Sequence, residues 1–265
     1  MAIGNEPSAG NGKRPRSPTR LAVVQQVKRL TPLVTQVTFG GEQLAGFGPP
    51  RPGSHMKLLF APDGSGWTPQ DEQGPRPPRR TYTPRRYDAD GLLLDIEFVH
   101  HGPGLAASWA ERARPGQQLY VTGPGGGYEV PESASDIVLV ADDTALPAAA
   151  TILESMAGNR PSHLFFEIAN AAEERPICPG LDLRPTWLHR ESRNATSGVL
   201  LEEAIRGFTA STSGTHWWIA CEATAMRRIR SYLLRDAGVV AAQVHTRGYW
   251  KLGETAYPDH DYGKD

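Results

Sequence analysis

Arg80, Tyr82 and Thr83 sit in the stretch Arg79-Arg80-Thr81-Tyr82-Thr83-Pro84-Arg85, whose core reads Arg-x-Tyr-Thr-x-Arg. Threonine and tyrosine favour an extended backbone. On a strand, residues 80 and 82 share a face and lie about 7 Å apart. A cation and an aromatic at that distance suit a ligand with an anion at one end and a flat conjugated ring further along. The Thr83 hydroxyl can donate or accept beside the ring edge. A flavin dinucleotide has these parts. An exposed basic strand would show the same residues, and the hexapeptide alone does not choose between the two readings.

A second stretch bears on the choice. His100-His101-Gly102-Pro103-Gly104-Leu105-Ala106-Ala107-Ser108-Trp109-Ala110 reads as a strand end, a glycine-rich turn and the start of a short helix. Free amides at a helix N-terminus can cradle a phosphate. The small residues Gly104, Ala106, Ala107 and Ser108 would let a diphosphate approach the backbone. An ordinary strand–turn–helix connection has the same pattern. The paired histidines invite a metal reading, but neighbours on a strand point to opposite faces and no nearby acid or cysteine completes a ligand set. No metal site is expected.

Composition narrows the function classes. The chain has 265 residues, 39% of them hydrophobic, which is enough for two domains. Its net charge of -1 gives no global field for nucleic acid. No apolar run approaches a membrane span. Cys178 and Cys221 are the two cysteines, too few for a disulfide framework or an iron–sulfur cluster. A cytoplasmic protein is expected, without membrane insertion.

The elements that must position these stretches fall into two styles. Residues 1–17 are polar and rich in Gly and Pro, and read as a disordered tail. Residues 18–131 show short strands with turn punctuation: Leu21–Val24, Leu33–Phe39, His55–Phe60, Arg80–Tyr87, Leu92–Val99 and Gln118–Thr122. They predict an antiparallel Greek-key β-barrel, with a long loop over residues 62–78. Residues 132–250 alternate strand and helix. Asp136–Ala141 is a buried parallel strand, and Thr144–Met156 is a helix. His163–Ile168, Pro185–His189, helix Ser197–Gly207, His216–Ala220, helix Glu222–Asp236 and strand Ala241–Thr246 follow. This predicts a parallel-sheet α/β domain binding at strand carboxyl ends. Residues 251–265 form a C-terminal tail.

Five stretches in this order carry a family resemblance: Lys57-Leu58-Leu59-Phe60; Arg80 to Arg85; His101-Gly102 with Ala106 and Trp109-Ala110; Asp142 to Ala148; and Gly248-Tyr249-Trp250-Lys251 with Gly253-Glu254. From about residue 20 to 254 the chain resembles the siderophore-interacting proteins, FAD-dependent ferric-siderophore reductases of the ferredoxin-reductase-like superfamily. The resemblance implies FAD held by Arg80 at its phosphates, Tyr82 along the ring and ribityl chain, and Thr83 at the reactive edge. It implies the turn His101–Ser108 at the diphosphate, with Thr144 and Ala145 lining the cofactor cleft. Lys57, Arg247 and Lys251 would form a cationic rim for an anionic ferric siderophore. NADH, NADPH or a ferredoxin would supply electrons, and a monomer is expected. The phosphate turn departs from the family's Gly-Pro-Ala-Ser, Cys221-Glu222 stands where the wider superfamily has Cys-Gly, and no glycine-rich nucleotide fingerprint follows Val140.

Plainer readings stand beside these roles. Lys57 can snorkel from a barrel strand, Arg247 and Lys251 can be solvated charges, and Tyr249 and Trp250 can be packing aromatics. Trp217-Trp218 reads as core, Cys221 as a small buried residue, and Asp142-Asp143 as a helix cap. Two other functions fit the same residues: a flavin-dependent NAD(P)H oxidoreductase with a different acceptor, and a non-redox ferric-siderophore binding protein.

Overall fold

The computed structural model describes residues 17–68, 76–100, 104–156, 160–193, 196–209, 214–258 and 261–263. The first unit is one seven-stranded antiparallel sheet with β1 (Thr19–Thr31), β2 (Val34–Gly40), β3 (His55–Leu59), β4 (Arg79–Tyr82), β5 (Arg86–Asp88), β6 (Leu93–Val99) and β7 (Gln118–Gly125). Its order is β4-β3-β7-β1-β2-β6-β5. Alternate residues point to one core: Val24, Val37, Phe39, Met56, Leu58, Ile96 and Phe98 all face inward. Helix α1 (Leu105–Glu111) closes that core with Trp109, whose ring lies over Phe39 at 5.9 Å.

The predicted single strand Arg80–Tyr87 is two strands. Thr83-Pro84-Arg85 interrupts it, Pro84 offering no amide to a ladder, and the halves lie on the two outer edges of the sheet. Three residues joining the edges force the sheet to curl. Among the described residues no ladder pairs β4 with β5, so the expected barrel shows no hydrogen-bonded closure between its edge strands.

The second unit is a five-stranded parallel sheet with β8 (Asp136–Asp142), β9 (Ser162–Ile168), β10 (Thr186–His189), β11 (Thr215–Glu222) and β12 (Val244–Trp250). Its order is β10-β9-β8-β11-β12. The apolar run of β8 is buried on both faces, Ile137 and Leu139 toward helix α2 (Leu146–Ser155), Val138 and Val140 toward α3 (Val199–Arg206) and α4 (Ala223–Arg235). The last strand was expected at Ala241–Thr246. Instead Ala241–Gln243 forms a 3₁₀ turn, and the strand runs on through Trp250. Residues 251–258 and 261–263 then fold back. Asp261 accepts from the Gly248 amide at 2.8 Å, and Tyr262 accepts from Thr246 Oγ1 at 2.6 Å.

Polar bridges fix one unit against the other. Glu173 reaches the β1–β2 hairpin, accepting from Thr31 Oγ1 and from the Leu33 amide. Arg85 pairs with Glu154 at 2.6 Å and Glu97 at 3.6 Å, and Arg175 pairs with Glu97 at 2.8 Å.

Candidate functional site

A cleft of about 830 Å³ opens between the two sheets. β4 forms one wall. Arg80 and Tyr82 are half-buried and share a face, while Arg79 and Thr81 are exposed on the other, as strand alternation requires. Tyr82 rests on Phe98 with ring centroids 4.6 Å apart. Burial pushes its hydroxyl pKa far up, against the opposing field of Arg80, so the phenol stays protonated.

The first turn of α1 forms the second wall. Gly104 is its cap residue, no side chain caps the helix, and no acid lies in its first turn. The first intrahelical bond runs from the Ser108 amide to the Gly104 carbonyl. The preceding amides have no intrahelical partner, and Gly104, Ala106 and Ala107 put little side-chain bulk beside them. Arg112, four residues after Ser108 and so on the same helical side, lines the cleft with Arg79 and Arg80.

The α/β unit supplies the third wall. Thr144 and Pro147 come from the start of α2, and Arg247, Tyr249 and Trp250 from the end of β12. The point where strand order reverses lies between β8 and β11, the usual place for a ligand crevice. Here it is filled. Asp142, wholly buried, accepts from the Thr144 amide and hydroxyl, the Glu222 amide at 3.0 Å and Trp250 Nε1 at 2.8 Å. Burial and the neighbouring Asp143 push its pKa up to about 7, while the bonds from Thr144 and Trp250 pull the other way. Glu222 caps α4 through the Ala225 amide and accepts from the Leu252 amide. Asp143 pairs with Arg190 at 2.6 Å. Trp250→Phe removes one of four donors from a buried carboxylate and is expected to cost about 1–2 kcal/mol of stability, read by urea unfolding.

These parts match what a flavin dinucleotide needs. Guanidiniums, uncapped amides and the flat groups Tyr82, Pro147, Tyr249 and Trp250 line the same cleft. The comparisons agree. Residues 23–128 match the siderophore-interacting FAD-binding domain model, and residues 134–253 the siderophore-interacting protein model. A siderophore utilization protein from T. fusca superposes with a TM-score of 0.81 at 34% identity, covering 94% of this chain and 98% of its own. The chain belongs to the siderophore-interacting protein family. The ferric vibriobactin reductase ViuB of Vibrio cholerae is 28% identical over 91% of this chain and 93% of its own length. The NADPH-dependent ferric-chelate reductase of Escherichia coli is 35% identical over 52% of this chain and 57% of its own length.

Most residues singled out from the sequence of this siderophore-interacting protein meet in the cleft: Arg80, Tyr82 and Thr83; Gly104, Ala106, Ala107 and Ser108; and Thr144, Arg247 and Lys251. Others do not. Ala145 was expected to line it, but its side chain is packed in the core under α2. Lys57 is not on the cleft wall. It sits on β3 opposite Thr81, on the face away from Met56 and Leu58. His101 lies outside the described residues. Arg247 was read as a rim or surface charge but is 8% exposed, stacked 5.8 Å from the Tyr249 ring. Lys251 is on the rim, paired with Glu254 at 2.5 Å. Arg85, the last residue of the starting motif, bridges the two units instead of facing the cleft.

The sequence reading missed Asp63, Arg112 and the wall built by residues 253–257. Arg112 was legible from its spacing to Ser108. The others depend on chain reversals without a periodic signal. Among the described residues, no group of three or more His, Cys, Asp or Glu could hold a metal ion, and no helix is long and apolar enough to cross a membrane.

Proposed function

We propose that this chain is an FAD-dependent ferric-siderophore reductase that takes electrons from NAD(P)H or a ferredoxin and releases iron as the divalent ion. The observation that carries this reading is that one cleft gathers Arg79, Arg80 and Arg112, the uncapped first turn of α1, the flat groups Tyr82, Pro147, Tyr249 and Trp250, and the cations Arg247 and Lys251. FAD bound there supplies hydride acceptance and single-electron delivery. Arg80 and the α1 amides hold its diphosphate. Tyr82, fixed on Phe98, and Thr83, within hydrogen-bonding reach of the Tyr249 hydroxyl, orient the ring. Trp250, pinned by Asp142, screens the α/β side from water. Arg247 and Lys251, with Lys57 beside the cleft, attract the anionic chelate. Reduction of the ferric ion weakens its oxygen cage, which frees the iron.

Anaerobic mixing of reduced, FAD-loaded protein with a ferric hydroxamate or catecholate tests this. The expected result is reoxidation of the flavin within the time of turnover, with ferrous iron trapped by a chromogenic chelator. A flavin that stays reduced defeats the reading. The donors to compare are NADPH, NADH and a ferredoxin, and the related ferric-chelate reductase of Escherichia coli is NADPH-dependent. Anaerobic titration with NADPH, NADH and a reduced ferredoxin separates them. We place the protein in the cytoplasm as a monomer.

A further inference from the structure

His55 opens β3 and lines the cleft, half-buried. Strand alternation gives it the same face as Lys57, while Met56 between them points into the core of the first unit. Glycines make the space for its ring. A Cβ on Gly125 would lie 3.7 Å from His55 Nε2, an ordinary contact, but a Cβ on Gly126 would lie 2.9 Å from Nδ1. Gly126 also has φ 67°, so glycine is required there on both counts. The same Cβ position lies 4.0 Å from Arg247 Nη1, so the imidazole and that guanidinium are at most about 7 Å apart.

Histidine is the side chain that ordinarily gains its charge between pH 5 and 8, and its charged neighbours decide when. Arg247 on β12 and Lys57 on β3 both repel a proton from the ring. His245, on β12 with Arg247, packs on Tyr128, and burial and the field of Arg247 lower its pKa to about 4. Beyond Gly127, Arg51 is paired with Glu129 at 2.6 Å. The acids on the cleft wall are committed elsewhere: Asp63 to Ser65, Glu97 to Arg85 and Arg175, and Glu254 to Lys251. An anionic chelate arriving beside Arg247 therefore brings new negative charge, which draws a proton onto the imidazole. Asp142, raised to about 7 by burial and Asp143, titrates in the same range, but it stands behind the cleft wall while its donors Thr144 and Trp250 line it.

We propose that His55 is a specificity-determining residue for the chelate: it is neutral in the ligand-free protein at about pH 8 and takes up one proton when an anionic chelate binds beside Arg247. This rests on the ferric-chelate reading of the cleft. The preference for strongly anionic chelates over uncharged ones then grows as pH falls, because only the anionic ones stabilise the charged ring.

The test is equilibrium binding to the FAD-loaded full-length chain, with gallium(III) complexes as redox-inert substitutes for the ferric ones. One probe is a strongly anionic tricatecholate complex and the other an uncharged trihydroxamate complex, both followed by the change in flavin absorbance. In the wild type the tricatecholate should bind about 10-fold tighter at pH 6 than at pH 8, as linkage to one proton allows. The trihydroxamate should change little. His55→Gln should bring the tricatecholate affinity at pH 6 down to the wild-type value at pH 8. Any slope contributed by Asp142 or by the chelate itself survives in that variant. His55→Lys carries a fixed charge and should bind the tricatecholate at pH 8 as tightly as the wild type does at pH 6. FAD content reports that each variant folds. If His55→Gln keeps the wild-type pH dependence, or the uncharged complex shows the same dependence as the anionic one, this inference fails while the chelate reading stands. If the FAD-loaded wild type binds neither gallium complex, both fall together.

Discussion

Replacing Glu97 by glutamine should lower the unfolding free energy of the flavin-free protein by about 3 kcal/mol or more. The argument is one of stranded charge. The Glu97 side chain is 8% exposed and lies between Arg85 at 3.6 Å and Arg175 at 2.8 Å. Arg85 keeps a second carboxylate, Glu154, when Glu97 is neutralised. Arg175 does not. Its side chain is 10% exposed, its Nη1 already lacks a partner, and Glu97 is its ion-pair partner among the described residues. Taking away one member of a buried pair leaves an uncompensated ion, which costs more than the pair itself contributes. Urea unfolding followed by tryptophan fluorescence should show a lower midpoint at an unchanged slope. The double variant Glu97→Leu with Arg175→Met, which removes both charges, should recover most of the loss. If it is as unstable as the single variant, packing and not charge explains the effect.

Which parts of this molecule were legible beforehand follows from how local their signals are. The run Asp136–Ala141 announces a strand buried on both faces, and the alternation of Arg80 and Tyr82 announces a shared face. Both hold, because each depends on backbone periodicity alone. The break at Thr83-Pro84-Arg85 was also local, since a proline inside a strand argues against continuity, yet the β-rich flanks concealed it. The roles of Arg85, Glu97 and Glu222 were not legible. Each is defined by partners that the chain brings together only on folding: Arg85 with Glu154 across the two sheets, Glu222 with the amide of Leu252. Arg247 shows the same limit. It sits on an edge strand, where a charge is ordinarily solvated. Its side chain instead lies beside Tyr249 and close to Gly126 of the first unit, and nothing in the periodicity of residues 244–250 reports that neighbour.

The two arginines that frame the starting motif should therefore separate in experiment. Arg80→Ala is expected to weaken FAD binding by roughly 10- to 100-fold, the range for one charge-assisted hydrogen bond to a phosphate. The stability of the flavin-free protein should hardly change. Arg80 is half-buried at the cleft wall, and its recorded contact is with the Arg79 carbonyl at 2.9 Å, which no core group depends on. Arg85→Ala should do the reverse. It removes the bridge to Glu154 and the Ile177 carbonyl and lowers stability, while leaving the cleft's cations in place. Flavin fluorescence titration and urea unfolding on both variants form a two-by-two comparison. The contrast follows from geometry. Edge strand β4 forms a wall of the cleft and ends at Tyr82, so Arg80 lines the cleft, and the turn at Pro84 carries Arg85 away to the junction between the sheets. Equal losses of FAD affinity in both variants would mean that the ligand reaches the inter-sheet bridge, and the boundary drawn here for the diphosphate end of the cleft would be wrong.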